Sequence, residues 1–293
     1  MAHQRSAPGG TCGAKRTYLK MQGDTNSSEA TVAAVKRRDD NLFVQRMAPL
    51  LGLDGQAQAR LASLCGSVQL LDADREFVHA HEPVEHVHIL LEGWACRYKI
   101  LADDRRQMTV LLLPGDICDL DRLYVAMGSR VVITLTACKI ASVSRDMLRN
   151  FLDEQGASGK LAAIENAALE ERIASLGGRT ARKRIAHLFC ELQQRLTRIG
   201  LARDNRYRLP LTQKQLGDLL GMTAVHVNRV LKELRAEGVV EKYRDELVIL
   251  DPEVLRNIAG FTPAFLHLDG AASTFSPEAL SASPQADGAA VRG

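Results

Sequence analysis

The spacing of apolar residues changes twice along the chain and divides it into regions. Residues 41–53 and 54–68 carry apolar side chains at helical spacing and predict two short helices. Between residues 75 and 144, short β-branched or alternating runs are separated by turn signals, which is typical of an antiparallel roll or sandwich. The predicted core residues of this roll are Val87, Ile89, Leu91, Val110, Leu112, Ile133, Leu135, Ile140 and Val143.

A helical period returns near residue 144. Residues 159–178 place a single apolar stripe on a long helix, which Gly177 and Gly178 close. Such a stripe between two domains often forms a dimer seam, and packing against the helix's own domain is the alternative. The predicted dimer-helix residues are Leu161, Ile164, Leu169, Ile173 and Leu176.

Residues 211–238 form a pair of short amphipathic helices separated by Gly221. Thr212 is placed to cap the first helix with Gln215 in the capping-box position, and Thr223 is placed to cap the second. The inner face of the second helix, at spacings of three and four, consists of Val227, Val230, Leu231 and Leu234. The opposite stripe consists of Val225, Asn228, Arg229 and Lys232, with Ala224 and His226 beside it.

Two strand-like segments, 239–242 and 247–250, follow this pair, and Asp251-Pro252 then marks the start of another helix. Two helices and a hairpin predict a winged helix-turn-helix, whose second helix enters the DNA major groove. The predicted base-reading residues are Val225 for a thymine methyl, Asn228 for adenine and Arg229 for guanine. The predicted phosphate contacts are Thr212, Lys214, Thr223, His226, Lys232 and Arg244.

Two alternatives compete with DNA reading. A helical hairpin that only fills a core would not place apolar Val225 on the solvent side beside Asn228 and Arg229. A winged helix used for protein contacts stays open as a second alternative.

The net charge of +3 conceals an asymmetry that supports DNA binding. Between Arg179 and Arg244 the chain has 15 Lys and Arg residues against 6 Asp and Glu residues, so the remainder sums to −6. A basic C-terminal region predicts contact with an anionic polymer, whereas a solvated basic surface is the alternative.

Other features of the composition narrow the class of protein. No apolar run approaches the roughly 18–20 residues of a membrane span, and no signal-peptide core is present, which predicts a cytoplasmic location. Without Walker, G-x-S-x-G or H-E-x-x-H motifs, we predict that the chain is not an enzyme. The scattered cysteines predict buried free thiols: Cys12, Cys65, Cys96, Cys118, Cys138 and Cys190.

The segment "HAHEPVEHVH" contains His79, His81, His86 and His88. On two strands joined by a turn, His79 and His88 could approach each other, which would suit a metal or haem. The favoured interpretation is that these histidines occupy outward positions of a hairpin whose inner face is Val78, Val87 and Ile89. We therefore predict no metal site here.

Residues 45–268 resemble the Crp/Fnr family of bacterial transcription regulators, most specifically in "LTQKQLGDLLGMTAVHVNRVLKEL" and less so in "LLLPGDICDL". The resemblance implies an α+β fold: an N-terminal antiparallel β-roll like a cyclic-nucleotide-binding domain, a long dimerisation helix and a C-terminal winged helix-turn-helix. It also implies a homodimer on a two-fold-symmetric DNA site, with RNA polymerase as a further partner. Only Cys12 lies in the leader, so the family's iron–sulfur cluster is not expected, and we predict no cofactor.

These regions give a predicted domain organisation. A disordered leader spans 1–40, a sensor roll with flanking helices 41–155, and the dimerisation helix 156–178. The winged domain with a C-terminal extension spans 179–269, and a disordered tail spans 270–293.

The effector pocket implied by the family is degenerate in this sequence. Gly115 and Asp116 are retained, but Leu120 stands where cyclic-AMP-binding members have the glutamate that takes the ribose hydroxyl. Arg130 matches the phosphate-binding arginine, yet Val131 replaces the serine beside it. We expect Asp119 and Asp121, which flank Leu120, to repel a phosphate. The pocket is therefore predicted not to bind cyclic AMP, which leaves an unidentified small-molecule effector, a metal or a redox signal open.

The recognition helix also departs from the family, because Val225 stands where many members have a glutamate. The DNA half-site should therefore differ from the family's common one. The alternative function is a sensory or protein-interaction module with little direct DNA binding.

Overall fold

The computed structural model of the protein describes residues 41–102, 106–125, 127–128 and 130–267. The predicted leader and tail, and Cys12, lie outside these residues.

Two short helices precede the roll, as the apolar spacing predicts. Helix α1 (Leu42–Leu51) begins at Asn41, whose side chain accepts from the Phe43 and Val44 N–H groups, and ends at Gly52 with φ +68°. Helix α2 (Gly55–Leu64) begins at Asp54, which accepts from Ala57 N at 2.7 Å. In both helices a capping side chain satisfies N–H groups that have no partner within the helix.

The roll consists of two antiparallel sheets. Its strands are β1 (Ser67–Leu71), β2 (Glu76–Val78), β3 (His86–Glu92), β4 (Ala95–Ile100), β5 (Arg106–Leu112), β6 (Val131–Thr134) and β7 (Cys138–Ser144). One sheet has the order β1-β7-β3 and the other β2-β6-β4-β5. Helix α3 (Arg145–Glu154) follows β7 and packs with α1 and α2 on the outer face of the first sheet.

The long helix α4 (Ser158–Gly178) leads to a second domain. This domain contains α5 (Ala181–Arg198), β8 (Ala202–Arg203), β9 (Arg206–Arg208), α6 (Gln213–Leu220), α7 (Ala224–Ala236), β10 (Val240–Tyr243), β11 (Glu246–Ile249) and α8 (Pro252–Ala259). Its four strands form a sheet of order β10-β11-β9-β8, and a 3₁₀ turn at Pro263–Leu266 follows α8. The α+β architecture that the sequence predicts is thus confirmed.

Strand β4 is buried on both of its faces. Ala95 points into the interior of the roll, whereas Cys96 and Tyr98 join the core of the second domain. The neighbouring strand β5 contacts α6, and the Gln107 amide donates to the Asp218 carbonyl of that helix. The outer face of this sheet is therefore covered by the second domain rather than by water.

Asp116 links three parts of the molecule with one buried carboxylate. It accepts from Leu113 N at 2.7 Å within its own turn, from Arg46 of α1 at 2.9 Å and from Arg195 of α5 at 2.7 Å. The preceding Gly115 has φ +88°, and a Cβ there would lie 2.7 Å from the Leu42 carbonyl oxygen. Only glycine therefore lets the turn approach α1 closely enough for the Arg46 contact.

The structure refines several expectations from the sequence. Of the predicted roll core, Leu91 and Val110 are only half-buried, while the other seven residues are buried. Strands β1, β8 and β9 were not predicted. They are short or have exposed side chains, so their alternation is weak. In addition, β1 pairs with β7 and β9 with β11, which are distant in sequence.

We expect Asp116→Asn to lower the free energy of unfolding by roughly 3–5 kcal/mol, because it leaves two largely buried guanidinium groups without their shared anion. Urea unfolding measures this loss. Asp146→Asn is the control, since its carboxylate is exposed and pairs with Arg149 on the surface, so its effect should stay within about 0.5 kcal/mol. Equal stability of the two variants would contradict the linking role of Asp116.

Candidate nucleic-acid interface and effector region

The pair α6 and α7 is held by caps at both helix starts. Thr212 accepts from Gln215 N at 3.1 Å, and the Gln215 side chain accepts from Thr212 N at 2.9 Å, which completes the predicted capping box. Gly221 turns the chain with φ +64°, and Thr223 accepts from His226 N at 3.2 Å. The angle between the two helices is thus fixed by local hydrogen bonds and one left-handed residue.

The close packing of the pair also requires Gly217. A Cβ at this position would lie 2.4 Å from the Met222 carbonyl oxygen, so a side chain would push α6 away from the turn. On α7, the inward residues Val227, Val230 and Leu234 are buried, while Leu231 is half-buried. The inner stripe predicted from the sequence therefore faces the core of this domain.

The opposite face of α7 is open. Val225 is 80% exposed. Arg229 Nη2 lies 2.9 Å from His226 Nε2 and its Nε lies 3.8 Å from a Glu233 carboxylate oxygen, so the guanidinium is oriented along the helix surface. The predicted stripe therefore presents a methyl-bearing and a cationic group side by side.

Asn228 is half-buried and its orientation depends on α6. Its amide nitrogen donates to Gln213 Oε1 at 3.1 Å. The Asn228 carbonyl oxygen is not used in this contact. Gln213 was not identified from the sequence. Its position at the start of α6, next to the Thr212 cap, is the only local signal.

The predicted phosphate contacts lie around this face. The hydroxyls of Thr212 and Thr223 are engaged as helix caps, while Lys214 and Lys232 are exposed. Lys214 pairs with Asp218 of its own helix at 3.6 Å, a contact in water that a phosphate can replace.

Arg244 lies at the tip of the β10–β11 hairpin. It has φ +51°, and its guanidinium lies 5.4 Å from the centre of the exposed Tyr243 ring. Arg206 and Arg208 of β9 flank the same hairpin through pairs with Glu246 and Asp245. Part of the surplus of Lys and Arg residues counted in the sequence therefore lies beside the wing.

The effector region contains an ion-pair network that the sequence did not predict. Arg130 pairs with Asp121 at 3.2 Å and with Glu165 of α4 at 2.5 Å. Arg97 of β4 contacts the same Glu165 oxygen and donates to the Ile117 and Cys118 carbonyls at 3.1 and 2.6 Å. The available signals were a charged residue within the apolar strand "WACRYKI" and a glutamate between Leu161 and Leu169 on the apolar stripe of α4.

The predicted effector-pocket residues do not all face one site. Gly115 and Asp116 serve the contacts with α1 and α5 described above. Val131 packs against the core shared with the second domain, and Leu120 packs with the α1–α3 helices. Of the five residues, Asp116 and Leu120 line a cavity between the roll and α4, and Arg130 pairs with Glu165 of α4.

The carboxylate of Asp119, which was expected to repel a phosphate, is bonded to other groups of the roll. This carboxylate is fully buried, accepts from His88 N at 2.8 Å, lies 2.9 Å from His88 Nδ1 and is 3.8 Å from Arg122 Nε. Asp119 therefore faces the roll interior. Asp121 instead compensates the charge of Arg130 directly.

A cavity of about 160 Å³ lies beside the Arg97–Glu165 pair. Its walls are mainly apolar side chains of α1, β5, α4 and the C-terminal 3₁₀ turn, such as Leu50, Leu111, Leu161 and Phe265. This volume is close to that of a cavity of about 150 Å³ that holds one benzene, and below the range of about 300–1,000 Å³ usual for ligand pockets.

The stripe predicted as a dimer seam faces mostly inward. Leu161 is buried in the roll core, and Ile164, Leu169 and Leu176 are half-buried. Ile173 is 70% exposed. The apolar positions on α4 thus divide into a face against its own domain and a single exposed isoleucine.

Within the described residues, no three His, Cys, Asp or Glu side chains converge as a metal site would require. His88 is half-buried and bound to Asp119, so it is not the outward residue that the hairpin pattern predicted.

Five of the six cysteines are buried free thiols, and burial raises the pKa of Cys96 and Cys190 to about 12. These two thiols stay protonated at neutral pH, which is the inert state. Among the helices that the structure describes, none combines the length and apolar character of a membrane span.

Both domains match models of known protein families. Residues 68–155 match the family model of the cyclic nucleotide-binding domain, and residues 183–258 match that of the Crp-like helix-turn-helix domain. The transcriptional activatory protein AadR of Rhodopseudomonas palustris is 28% identical over 183 residues, covering 59% of this chain and 72% of the relative. The activator FnrL of Cereibacter sphaeroides is 28% identical over 184 residues, covering 57% and 70%.

A solved structure, that of FixK2 from Bradyrhizobium japonicum, superimposes with a TM-score of 0.59 at 25% identity. It covers 67% of this chain and 98% of its own. A β-roll joined by a long helix to an exposed winged helix-turn-helix defines a DNA-binding transcription regulator. The chain belongs to the Crp/Fnr family of these regulators.

Proposed function

We propose that this regulator binds a two-fold-symmetric DNA site as a homodimer, reads bases with α7, and does not respond to cyclic AMP. The observation that carries the proposal is the exposed stripe of α7, on which Val225 and Arg229 project from a firmly capped helix. An α-helix fits the major groove, and its outward side chains are those that reach base edges.

The base-reading roles follow from the chemistry of each side chain. Arg229 would donate two hydrogen bonds to guanine, Asn228 would pair with adenine, and Val225 would contact a thymine methyl. Gln213 supports the role of Asn228, because it holds the amide in one orientation before DNA arrives. Val225 cannot accept a hydrogen bond from cytosine, so it favours a half-site that differs from one read by a glutamate.

The remaining predicted contacts would anchor the protein to the DNA backbone. Lys232 belongs to the outward stripe, Lys214 is exposed on α6, and Arg244 lies at the tip of the wing. The N–H groups at the start of α7, near Thr223 and His226, also favour a phosphate.

Homodimer formation through α4 is part of the proposal. Ile173 is the exposed apolar residue of this helix, and Ala163, Ala174 and Gly177 are exposed on the same side. Small residues beside one large apolar residue let two helices approach closely. Two α7 helices related by a two-fold axis would then face successive major grooves. RNA polymerase is the further partner proposed for a regulator of this kind.

The geometry around Arg130 supports the proposal that cyclic AMP is not an effector. Its guanidinium already pairs with Asp121 and Glu165, and Leu120 offers no acceptor for a ribose hydroxyl. The cavity beside it has room for about one aromatic ring rather than a nucleotide. A small apolar effector is therefore the second candidate input to this regulator.

Selection of bound DNA from a random pool tests the function. We expect the enriched sites to be two-fold symmetric with half-sites about one helical turn, roughly 10 bp, apart. Binding should also weaken steeply as salt rises, because phosphate contacts release counterions. If no sequence is enriched, or if binding is insensitive to salt, the chain is instead a protein-interaction module.

We expect Arg229→Ala to weaken binding to the selected site by roughly 1–3 kcal/mol and to relax the choice at one base pair in each half-site. Fluorescence anisotropy with single-base variants of the site measures both effects. Lys214→Ala should weaken binding to all sequences alike, since it removes a phosphate contact. Arg235→Ala is the matched control, because Arg235 lies at the far end of α7 and pairs with Glu241. Unchanged base preference in Arg229→Ala refutes its reading role.

Cyclic AMP should bind no more tightly than a Kd of about 1 mM, equivalent to about −4 kcal/mol, because the phosphate arginine is already neutralised. Isothermal titration calorimetry checks this expectation. The same preparation must bind the selected DNA, which establishes that the protein is folded. A micromolar Kd for cyclic AMP contradicts the proposal.

A further inference from the structure

Two arginines of the roll converge on one oxygen atom. Arg97 Nη1 and Arg130 Nη1 both contact Oε1 of Glu165, the latter at 2.5 Å. Two guanidinium groups that face each other in this way repel unless an anion lies between them. Their arrangement is therefore that of an anion-binding site, which a carboxylate from α4 occupies.

The guanidinium of Arg97 is held in a fixed position at this anion site. Its side chain is only 5% exposed, and its Nε and Nη2 atoms donate to the carbonyls of Cys118 and Ile117. These carbonyls fix the guanidinium but carry no net charge, so the cation still requires an anionic partner in this buried position. Glu165 is the carboxylate that provides it.

Glu165 is suited to remain ionised in this place. Burial alone would raise the pKa of its carboxyl group, but the charges of Arg97 and Arg130 outweigh that effect and hold the pKa below its usual value. Asp121 pairs with Arg130 at 3.2 Å. Glu165, in contrast, contacts both Arg97 and Arg130. The anion that joins the two arginines is thus supplied by the long helix.

We propose that Glu165 is a built-in ligand: its carboxylate occupies an oxyanion site formed by Arg97 and Arg130, and so joins the roll to the long helix without a diffusible effector. Without the tethered carboxylate, the two arginines would accept an external oxyanion such as inorganic phosphate. A tethered group needs no binding from solution, so its effective concentration is high and constant.

The consequence for regulation rests on the proposed function. Arg97 and Arg130 belong to the roll, whereas Glu165 lies on the helix that leads to the DNA-binding domain. A contact that fixes this junction permanently keeps the DNA-binding domain in one relation to the roll. The protein should therefore bind its DNA site with no added ligand, and removal of Glu165 should make binding depend on an external anion.

Full-length Glu165→Ala and Glu165→Gln test this inference by thermal unfolding in sodium phosphate and in sodium chloride at matched ionic strength. We expect both variants to have a lower Tm than the wild type in chloride. Phosphate should raise the Tm of Glu165→Ala but not that of the wild type, whose site is filled. Adding Arg130→Met to Glu165→Ala should abolish the phosphate response, because it removes one of the two cations.

DNA binding gives a second readout. Without phosphate, Glu165→Ala should bind the selected site roughly tenfold more weakly than the wild type, within the range of about 5–150-fold typical of coupled sites. Phosphate at matched ionic strength should recover part of that loss. The Glu165→Gln variant keeps the volume of the side chain, so it serves if the alanine variant does not fold.

Glu92→Gln is the matched control, because it removes one charge from an exposed pair with Lys139 and should change neither readout. If Glu165 variants lose stability but gain no phosphate response, the carboxylate is only structural and the inference fails. It also fails if they behave like Glu92→Gln. If the wild type itself shows no sequence preference on DNA, the proposed function fails instead, and the thermal readout still decides the anion site.

Discussion

The carboxylate of Asp116 holds the architecture together, because it contacts α1, the roll and the first helix of the DNA-binding domain at once. Its bond to Arg46 is possible only because Gly115 lets the turn approach Leu42 closely, and a second bond joins it to Arg195. Arg195 also pairs with Glu191 at 3.1 Å. Such a buried network of ion pairs defines one arrangement of the parts more sharply than apolar contact does.

The DNA-binding domain depends on this arrangement for its position and on its own helix caps for its internal shape. The capping box at Thr212, the turn at Gly221 and the close approach at Gly217 fix α6 against α7. Once these are set, the inner stripe of α7 is buried and the outer stripe must face solvent. The exposure of Val225 is thus a consequence of helix geometry, and the stripe that it belongs to is available to a groove.

A second ion-pair network lies between the roll and the long helix α4. Arg97, Arg130, Asp121 and Glu165 compensate one another, so a region that resembles a ligand site contains an internal ion-pair network. The small cavity beside it leaves little space for a nucleotide. Leu120 offers no acceptor for a ribose hydroxyl, and Asp121 and Glu165 neutralise Arg130.

The sequence by itself determined the elements whose signals are local. The caps at Thr212 and Thr223, the turn at Gly221 and the two stripes of α7 follow from residues within one or two helical turns, and the fold class followed from them and from the strand pattern. Only the tertiary structure decided the pairing of Arg97 with Glu165, 68 positions apart, and that of Asp116 with Arg195. It also decided that Asp119 faces His88 and that Leu161 faces the roll. The physical reason is that an ion pair or a buried face depends on which elements meet in space, and the period of one element shows only that it has a buried side.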